Sequence, residues 1–129
     1  MSDIVKQMHQ QPNFYALHGV SNEDIEQAEQ SLGLHFAADY KEYLYAFGVA
    51  SFDGHELTGI CNSKRLDVVH VTNNERRANT SVLREWYVVE QLDIDAITIW
   101  QSTDGSIYLL QPGIAPRKIA SNLIDYLQL

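Results

Sequence analysis

The stretch SNEDIEQAEQSLGLHFAADYKEYLYAFG, from Ser21 to Gly48, decides the fold because it carries the start and stop signals of two helices. The hydroxyl of Ser21 can cap the first helix, and Asp24, three residues later, completes a shortened capping box. Apolar residues then recur at spacings of three and four up to Leu32. Gly33 supplies the left-handed residue that commonly ends a helix. We therefore predict a helix between Ser21 and Gly33.

A second helix is predicted from Ala38 to Phe47. Tyr40, Leu44 and Phe47 recur at spacings of four and three, which places them on one face of a helix. Gly48 ends this helix in the way that Gly33 ends the previous one. Because few residues separate the two helices, we expect them to form a helical hairpin or corner.

The residues upstream of this stretch predict a short helix and a loop. The helix runs from Asp3 to Gln10, with Ser2 as its cap and Pro12 as its stop signal. Residues 13–19 have no clear period and are predicted to form a loop.

Downstream of Gly48 the pattern changes, and from Trp86 the period is closer to two, which is typical of strands. Asp104-Gly105 is a strong signal for a two-residue hairpin. The segment Leu66–Val71 fits a strand or a helix, and both remain open. The predicted strands are Glu56–Cys61, Trp86–Glu90, Ile97–Gln101, Ser106–Gln111 and Arg117–Ala120. A last helix, Asn122–Gln128, has Ser121 as its predicted cap.

This order of elements predicts an α+β fold with N-terminal helices, a central antiparallel sheet and a C-terminal helix. A chain of 129 residues is expected to form a single domain, residues 1–129. The N-terminus lacks the features of a signal peptide, and no apolar run is long enough to span a membrane. Cys61 is the only cysteine, so no internal disulfide can form. These features favour a cytoplasmic location.

The chain is acidic, with a formal charge of −8. This charge disfavours direct nucleic-acid binding, because binding to phosphates requires neutralisation by lysine and arginine. It is compatible with a basic protein partner. The alternative interpretation is that the acidic residues only confer solubility.

No pattern of known catalytic or metal-binding residues stands out. The five histidines show no metal-ligand spacing with one another or with Cys61. A small hydrolase that uses Cys61 or a pair of acids is a third hypothesis, but Cys61 follows an apolar strand and is better explained as a small apolar residue. We therefore expect no metal and no cofactor. The histidines are His9, His18, His35, His55 and His70.

Aromatic residues suggest binding rather than catalysis. Tyr45 falls on the outer side of the predicted helix Ala38–Phe47, and one of Trp86 and Tyr87 is expected to point away from the core. Exposed tyrosine and tryptophan side chains often dominate protein–protein interfaces. The alternative is that these aromatics lie in the core and at its rim.

The order of short motifs resembles the SUKH superfamily, which includes the yeast Smi/Knr cell-wall-regulator domain. Leu32-Gly33 and Asp39-Tyr40 match its N-terminal signature, as do Leu44, Gly48 and the Phe52-x-Gly54 motif. In the C-terminal half, TDGSIY (residues 103–108) resembles the hairpin of the family and IASNLIDYLQL (residues 119–129) resembles its closing helix. The resemblance covers nearly the whole chain.

The resemblance implies a non-enzymatic protein-binding domain, of which bacterial members are commonly immunity proteins. Such proteins bind and neutralise a cognate toxin, often a nuclease or another nucleic-acid-modifying enzyme. An intracellular adaptor that binds an endogenous protein is the alternative. A monomer or weak dimer is expected. The candidate contact residues are Tyr45 on the outer helix face, Asp53 and Glu56 at the glycine loop around the predicted turn Phe52-Asp53-Gly54, and Trp100 on the sheet.

Overall fold

The computed structural model describes residues 3–129, so the predicted cap Ser2 lies outside the described residues. Its helices are α1 (Asp3–His9), α2 (Asn22–Leu32), α3 (Ala38–Phe47), α4 (Val68–Ala78) and α5 (Leu123–Leu127). Its strands are β1 (Tyr15–Ala16), β2 (Ala50–Phe52), β3 (His55–Glu56), β4 (Trp86–Gln91), β5 (Thr98–Ser102), β6 (Ile107–Gln111) and β7 (Ile114–Ala120). This is an α+β fold, which confirms the predicted class.

The strands form two antiparallel sheets. The larger sheet is a meander of four strands in the order β4-β5-β6-β7, and the smaller has the order β1-β2-β3. Across described residues 3–129, none of the helices is long and apolar enough to cross a membrane.

The local signals for α2 and α3 are confirmed. The Ser21 hydroxyl accepts a hydrogen bond from the Asp24 backbone N–H at 3.2 Å, and the Asp24 carboxylate accepts one from the Ser21 N–H at 3.3 Å. Gly33 has φ 70° and ends α2 in the left-handed conformation. Helix α3 has the predicted bounds, and the Gly48 N–H donates to the Leu44 carbonyl at its end.

Two predictions, near β1 and β3, differ from the structure, and the structure decides the segment that the sequence left open. Residues 13–19 contain the short strand β1 as well as loop. The predicted strand Glu56–Cys61 ends after Glu56. The Leu57 N–H still donates to the Ala50 carbonyl of β2 at 3.1 Å, but the chain then forms only single bridges, from Leu57 to Glu90 and from Gly59 to Asp67. The open segment Leu66–Val71 resolves mainly into α4, whose first turn is capped by the carboxylate of Asp67.

The predicted C-terminal cap is also wrong by one residue. The side chain of Asn122, rather than that of Ser121, accepts a hydrogen bond from the Asp125 N–H at 2.8 Å and begins α5. Strand β7 begins at Ile114, three residues earlier than predicted. The Asp104-Gly105 turn is confirmed: Gly105 has φ 100°, and the Ser106 N–H donates to the Asp104 carboxylate at 2.9 Å.

Strand β4 is covered on both of its faces. Tyr87 and Val89 face the main core, while Trp86 and Val88 face a second cluster that includes Trp100. The expectation that Trp86 or Tyr87 points away from the core is therefore wrong, because each of the two faces is packed. Their side chains are only 6% and 0% exposed.

Thr58 joins the small sheet to the large one through buried hydrogen bonds. Its hydroxyl donates to the Val88 carbonyl at 2.8 Å and bonds with the Tyr40 hydroxyl at 3.0 Å. Tyr43 donates to the Thr58 carbonyl at 2.7 Å and accepts from the Ala50 N–H at 3.1 Å. Buried polar groups require such partners, so the tyrosines of α3 hold β2 at a defined position beside β4.

Candidate functional site

The outer face of the small sheet is a row of three residues from three strands. Tyr15 pairs with Ser51, and Ser51 pairs with Glu56. Side chains of directly paired residues lie on the same face of a sheet. The neighbours of Ser51 in β2, Ala50 and Phe52, point to the opposite face and are buried. We call the row Tyr15, Ser51 and Glu56 the outer face.

Apolar side chains are exposed at the β1 end of the outer face. Tyr15 is 65% exposed and Leu17 is 48% exposed. Phe14 and Ala16, by contrast, pack against the main core. This alternation is expected for a strand that covers the core with one side. The Leu17 N–H donates to the Val49 carbonyl at 3.0 Å, which continues the attachment of this segment beyond β1.

The predicted contact residue Tyr45 lies on α3, and the chain that follows β1 contacts the backbone of this helix. The side chain of Tyr45 is 47% exposed. The chain after β1 runs directly over this helix, since the Val20 N–H donates to the Leu44 carbonyl at 3.2 Å. A methyl group added at Gly19 would lie 1.8 Å from the Tyr45 carbonyl oxygen. Tyr15, Leu17 and Tyr45 are three of the seven large apolar side chains that are exposed within residues 3–129.

Glu56, at the β3 end of the outer face, carries an ion pair. Its carboxylate accepts two hydrogen bonds from the Arg65 guanidinium, at 2.6 Å and 3.0 Å. The pKa of Glu56 is lowered, first by these hydrogen bonds. Both side chains are exposed, so this fixed pair of opposite charges is accessible to a partner.

Asp53 lies in the turn that connects β2 and β3. Its backbone has a positive φ of 44°, a conformation that aspartate adopts more readily than most residues. The Asp53 N–H donates to the Pro12 carbonyl at 3.1 Å, and the residue is exposed. Asp53 and Glu56 therefore belong to one hairpin, as the sequence suggested.

Trp100 cannot be a contact residue, and its prediction is corrected. Its side chain is 0% exposed because it fills the second core cluster with Trp86 and Val88. Its indole N–H donates to the Thr98 hydroxyl at 2.8 Å. A side chain with no exposed area offers no surface to a partner.

A group of titratable side chains surrounds Glu90, which is 1% exposed. Its carboxylate bonds with His55 Nδ1 at 3.0 Å and accepts from the Glu56 N–H at 3.2 Å. The Tyr126 hydroxyl also donates to it. Burial and the neighbouring Glu90 raise the pKa of Tyr126, so the phenol keeps its proton. This cluster fastens the β3 end of the outer face to β4 and α5.

The other candidates for chemistry have simpler surroundings. The thiol of Cys61 donates to the Ser63 carbonyl at 3.6 Å. Residues 3–129 contain no group of three or more histidine, cysteine, aspartate or glutamate side chains arranged to hold a metal ion. The arrangement of exposed aromatics beside a charged pair is suited to binding a macromolecule.

Sequence reasoning missed Tyr15 and Leu17. The signal was present: FYAL (residues 14–17) is a short apolar run bounded by Pro12-Asn13 and His18-Gly19. Such a run between turn residues is typical of a strand. Which of its four apolar side chains face solvent could not be read from the sequence, because all four are apolar.

The chain is similar to known proteins over its whole length. The family model SUKH_5, described as SMI1-KNR4 cell-wall, matches residues 1–129. A crystal structure of a protein from Pseudomonas syringae pv. tomato superimposes with a TM-score of 0.75 and 13% sequence identity, covering 99% of this chain and 96% of that chain. No curated protein matches the chain.

The structural match supports the fold alone, because the identity is low. The family match rests on the sequence and extends from the first residue to the last. The motifs that carry it, including Asp39-Tyr40 and Gly48, have defined places in the fold described above. This chain belongs to the SUKH_5 (SMI1-KNR4 cell-wall) family.

Proposed function

We propose that this chain is an immunity protein, which binds a cognate protein toxin and neutralises it by occlusion. The observation that carries the proposal is the outer face, with exposed Tyr15 at one end and the Glu56–Arg65 pair at the other. Membership of a SUKH family supports it, since this family is commonly associated with immunity proteins. On this proposal residues 1–129 act as one domain in the cytoplasm, without catalysis or a cofactor.

The chemistry of the outer face suits a protein partner. Tyrosine contributes large contact area with little loss of conformational entropy, and it is enriched among residues that dominate binding energy. Leu17, two residues after Tyr15, and Tyr45 on α3 are further exposed apolar side chains. A charged rim, here Asp53 and Glu56, favours correct orientation more than raw affinity.

The charge of the chain favours a basic partner. A formal charge of −8 accelerates association with a positively charged protein. A toxin that acts on nucleic acid is itself expected to be basic, because it must bind phosphates. The proposal therefore includes a basic nuclease or a related enzyme as the toxin, and it includes no direct contact of this chain with nucleic acid.

The proposal is tested by co-expressing the chain with the product of a neighbouring gene that encodes a secreted toxin. We expect the wild-type chain to restore growth and to form a stable complex with the purified toxin. Tyr15→Ala, Tyr45→Ala and Glu56→Lys should each weaken the complex by about tenfold or more, as expected for residues that dominate an interface.

Matched controls come from exposed residues elsewhere on the chain. Ile114→Ala removes an apolar side chain that is 60% exposed on β7, and Glu26→Lys reverses an exposed charge on α2. Both should leave affinity unchanged. Failure of the wild-type chain to protect cells from the toxin contradicts the proposal. A specific partner captured from cells that lack any toxin gene favours the adaptor hypothesis instead.

A further inference from the structure

Three arginines surround one open groove on a different part of the molecule. Arg76 and Arg77 come from the last turn of α4, and Arg84 comes from the loop that leads into β4. The C-terminal end of α2, residues 30–33, and Asn73 complete the groove, which has a volume of about 450 Å³. The chain has only nine lysines and arginines, so a third of them line this groove. Among the described residues, no acidic side chain lines it.

Arg76 has a structural role that explains its position. Its guanidinium donates to the Leu32 carbonyl at 3.0 Å and to the Arg84 carbonyl at 2.7 Å. A positive charge is favoured at the C-terminal end of a helix such as α2. Burial and the neighbouring Arg84 lower the pKa of Arg76. Arg76 therefore holds the loop that carries Arg84 against the end of α2, and it acts as a positioning residue.

In the part of the chain that the structure describes, the guanidinium groups of Arg77 and Arg84 do not connect two segments as that of Arg76 does. The position of Arg77 in the last turn of α4 is nevertheless favoured by the helix dipole. Arg77 donates to the Asn74 side chain at 3.2 Å. Within residues 3–129, neither Arg77 nor Arg84 forms an ion pair, whereas the exposed Arg65 pairs with Glu56 through two hydrogen bonds. Like charges that share a groove repel one another, and the chain has 17 acidic residues that could have relieved this repulsion.

We propose that this arginine groove binds an acidic segment of a protein partner, whose carboxylates form ion pairs with Arg77 and Arg84. The planar guanidinium presents two parallel donors that match a carboxylate, and it does so better than lysine. A nucleic acid is disfavoured because the remainder of the chain is strongly acidic and repels a long polyanion. A short acidic segment meets the local positive charge without extending over the acidic surface. The groove is independent of the outer face and of the identity of any toxin.

The probe is a short fluorescein-labelled oligoglutamate peptide, with an oligoglutamine peptide of equal length as its control. Fluorescence anisotropy at low salt should show oligoglutamate binding to the wild-type chain and weakening as salt is added. The double variant Arg77→Gln/Arg84→Gln should bind about tenfold more weakly, because two exposed ion pairs are lost. Arg77→Glu/Arg84→Glu should abolish binding.

Arg117→Gln/Lys118→Gln is the matched control, since it removes two exposed positive charges from β7. Its affinity for oligoglutamate should equal that of the wild type. Circular dichroism of each variant verifies folding, and the glutamine variant keeps the test open if the glutamate variant unfolds. The proposal is overturned if oligoglutamate binds no better than oligoglutamine, if the Arg77/Arg84 variants retain affinity, or if single-stranded oligothymidylate binds more tightly than oligoglutamate. Because no toxin enters the assay, its failure leaves the proposed immunity function unaffected.

Discussion

The carboxylate of Asp39 accepts a hydrogen bond from the backbone N–H of Leu123 at 2.8 Å, across 84 residues of sequence. The N–H groups in the first turn of a helix lack partners within the helix. Asp39, in the first turn of α3, therefore supplies an acceptor for an N–H group in the first turn of α5. Its other oxygen accepts from the Gln101 side chain at 3.0 Å, so the same carboxylate also reaches β5.

Replacing Asp39 by alanine should destabilise the protein by about 2–4 kcal/mol, because two partly buried donors lose a charged acceptor. The substitution Asp39→Asn keeps one acceptor oxygen at this position and should recover part of this loss. Chemical unfolding followed by circular dichroism measures the change. Glu42→Ala on the exposed side of α3 is the control and should stay within about 0.5 kcal/mol of the wild type. Equal stabilities for the two alanine variants would show that Asp39 does not connect the helices.

The hydroxyl groups of two tyrosines on α3 should contribute very differently to stability. Tyr43→Phe leaves the Ala50 N–H and the Thr58 carbonyl without this buried partner, which should cost about 1–3 kcal/mol of unfolding free energy. Tyr45→Phe removes an exposed hydroxyl and should change the unfolding free energy by less than about 0.5 kcal/mol. A matched pair of urea titrations tests this difference. A Tyr43→Phe variant as stable as Tyr45→Phe would contradict the buried network.

Stability should fall steeply at alkaline pH. Burial raises the pKa values of Tyr40, Tyr43, Tyr87 and Tyr126 above their ordinary value. In the unfolded chain these phenols lose protons near pH 10, whereas the folded chain keeps them. Their contribution is thus fully present below about pH 10 and is lost as the pH rises further. Each fully titrated tyrosine should remove about 1.4 kcal/mol per pH unit.

Unfolding free energies measured between about pH 8 and pH 11 test this expectation. Tyrosinate absorbance from four of the seven tyrosines should appear only together with unfolding, since the buried phenols ionise only when the chain opens. Tyr126→Phe is the matched variant and should reduce the slope that these four tyrosines produce by about a quarter. Formation of all seven tyrosinates in the fully folded chain at the same pH would argue against the four buried phenols.

Gly59 should tolerate no side chain, although its backbone angles are ordinary. A methyl group there would lie 1.7 Å from the Gly48 carbonyl oxygen and 2.8 Å from Val49 Cγ2. Gly59→Ala should therefore destabilise the protein by about 3 kcal/mol or more. Gly113→Ala is the control, because no atom lies within 4 Å of its added methyl group and only its φ of 79° is unfavourable. It should cost about 1–2 kcal/mol, and thermal unfolding ranks the two variants.

Glu56→Gln should have little effect on stability, as expected if Glu56 is a contact residue of the outer face. The ion pair with Arg65 is exposed, so its loss should change the unfolding free energy only slightly. Because the pKa of Glu56 is lowered in the folded chain, its contribution exists above the unfolded pKa and disappears as the pH falls. The variant and the wild type should thus become equally stable in acid. A large loss of stability at neutral pH would make Glu56 a structural residue instead of a contact residue.

The position of the outer face could be predicted only in part. Tyr45 is exposed, as expected from its position on the outer side of the helix Ala38–Phe47. Asp53 and Glu56 share a hairpin, as expected from the turn residues beside Gly54. Tyr15 entered the row because β1 pairs with β2 across 36 residues of sequence. Pairing of that kind depends on the packing of both segments and leaves little local trace.

Local signals in the amino-acid sequence are enough to predict the helices α2 and α3, the turn at Asp104-Gly105 and the α+β class. Capping residues, glycines and hydrophobic period act within a few neighbours, so they operate before any distant contact forms. That the segment after Asp67 is a helix and that Trp100 is buried becomes evident only from the packed structure. Both outcomes depend on what covers the far face of β4, and a residue becomes core or surface through packing between distant segments rather than through its own chemistry.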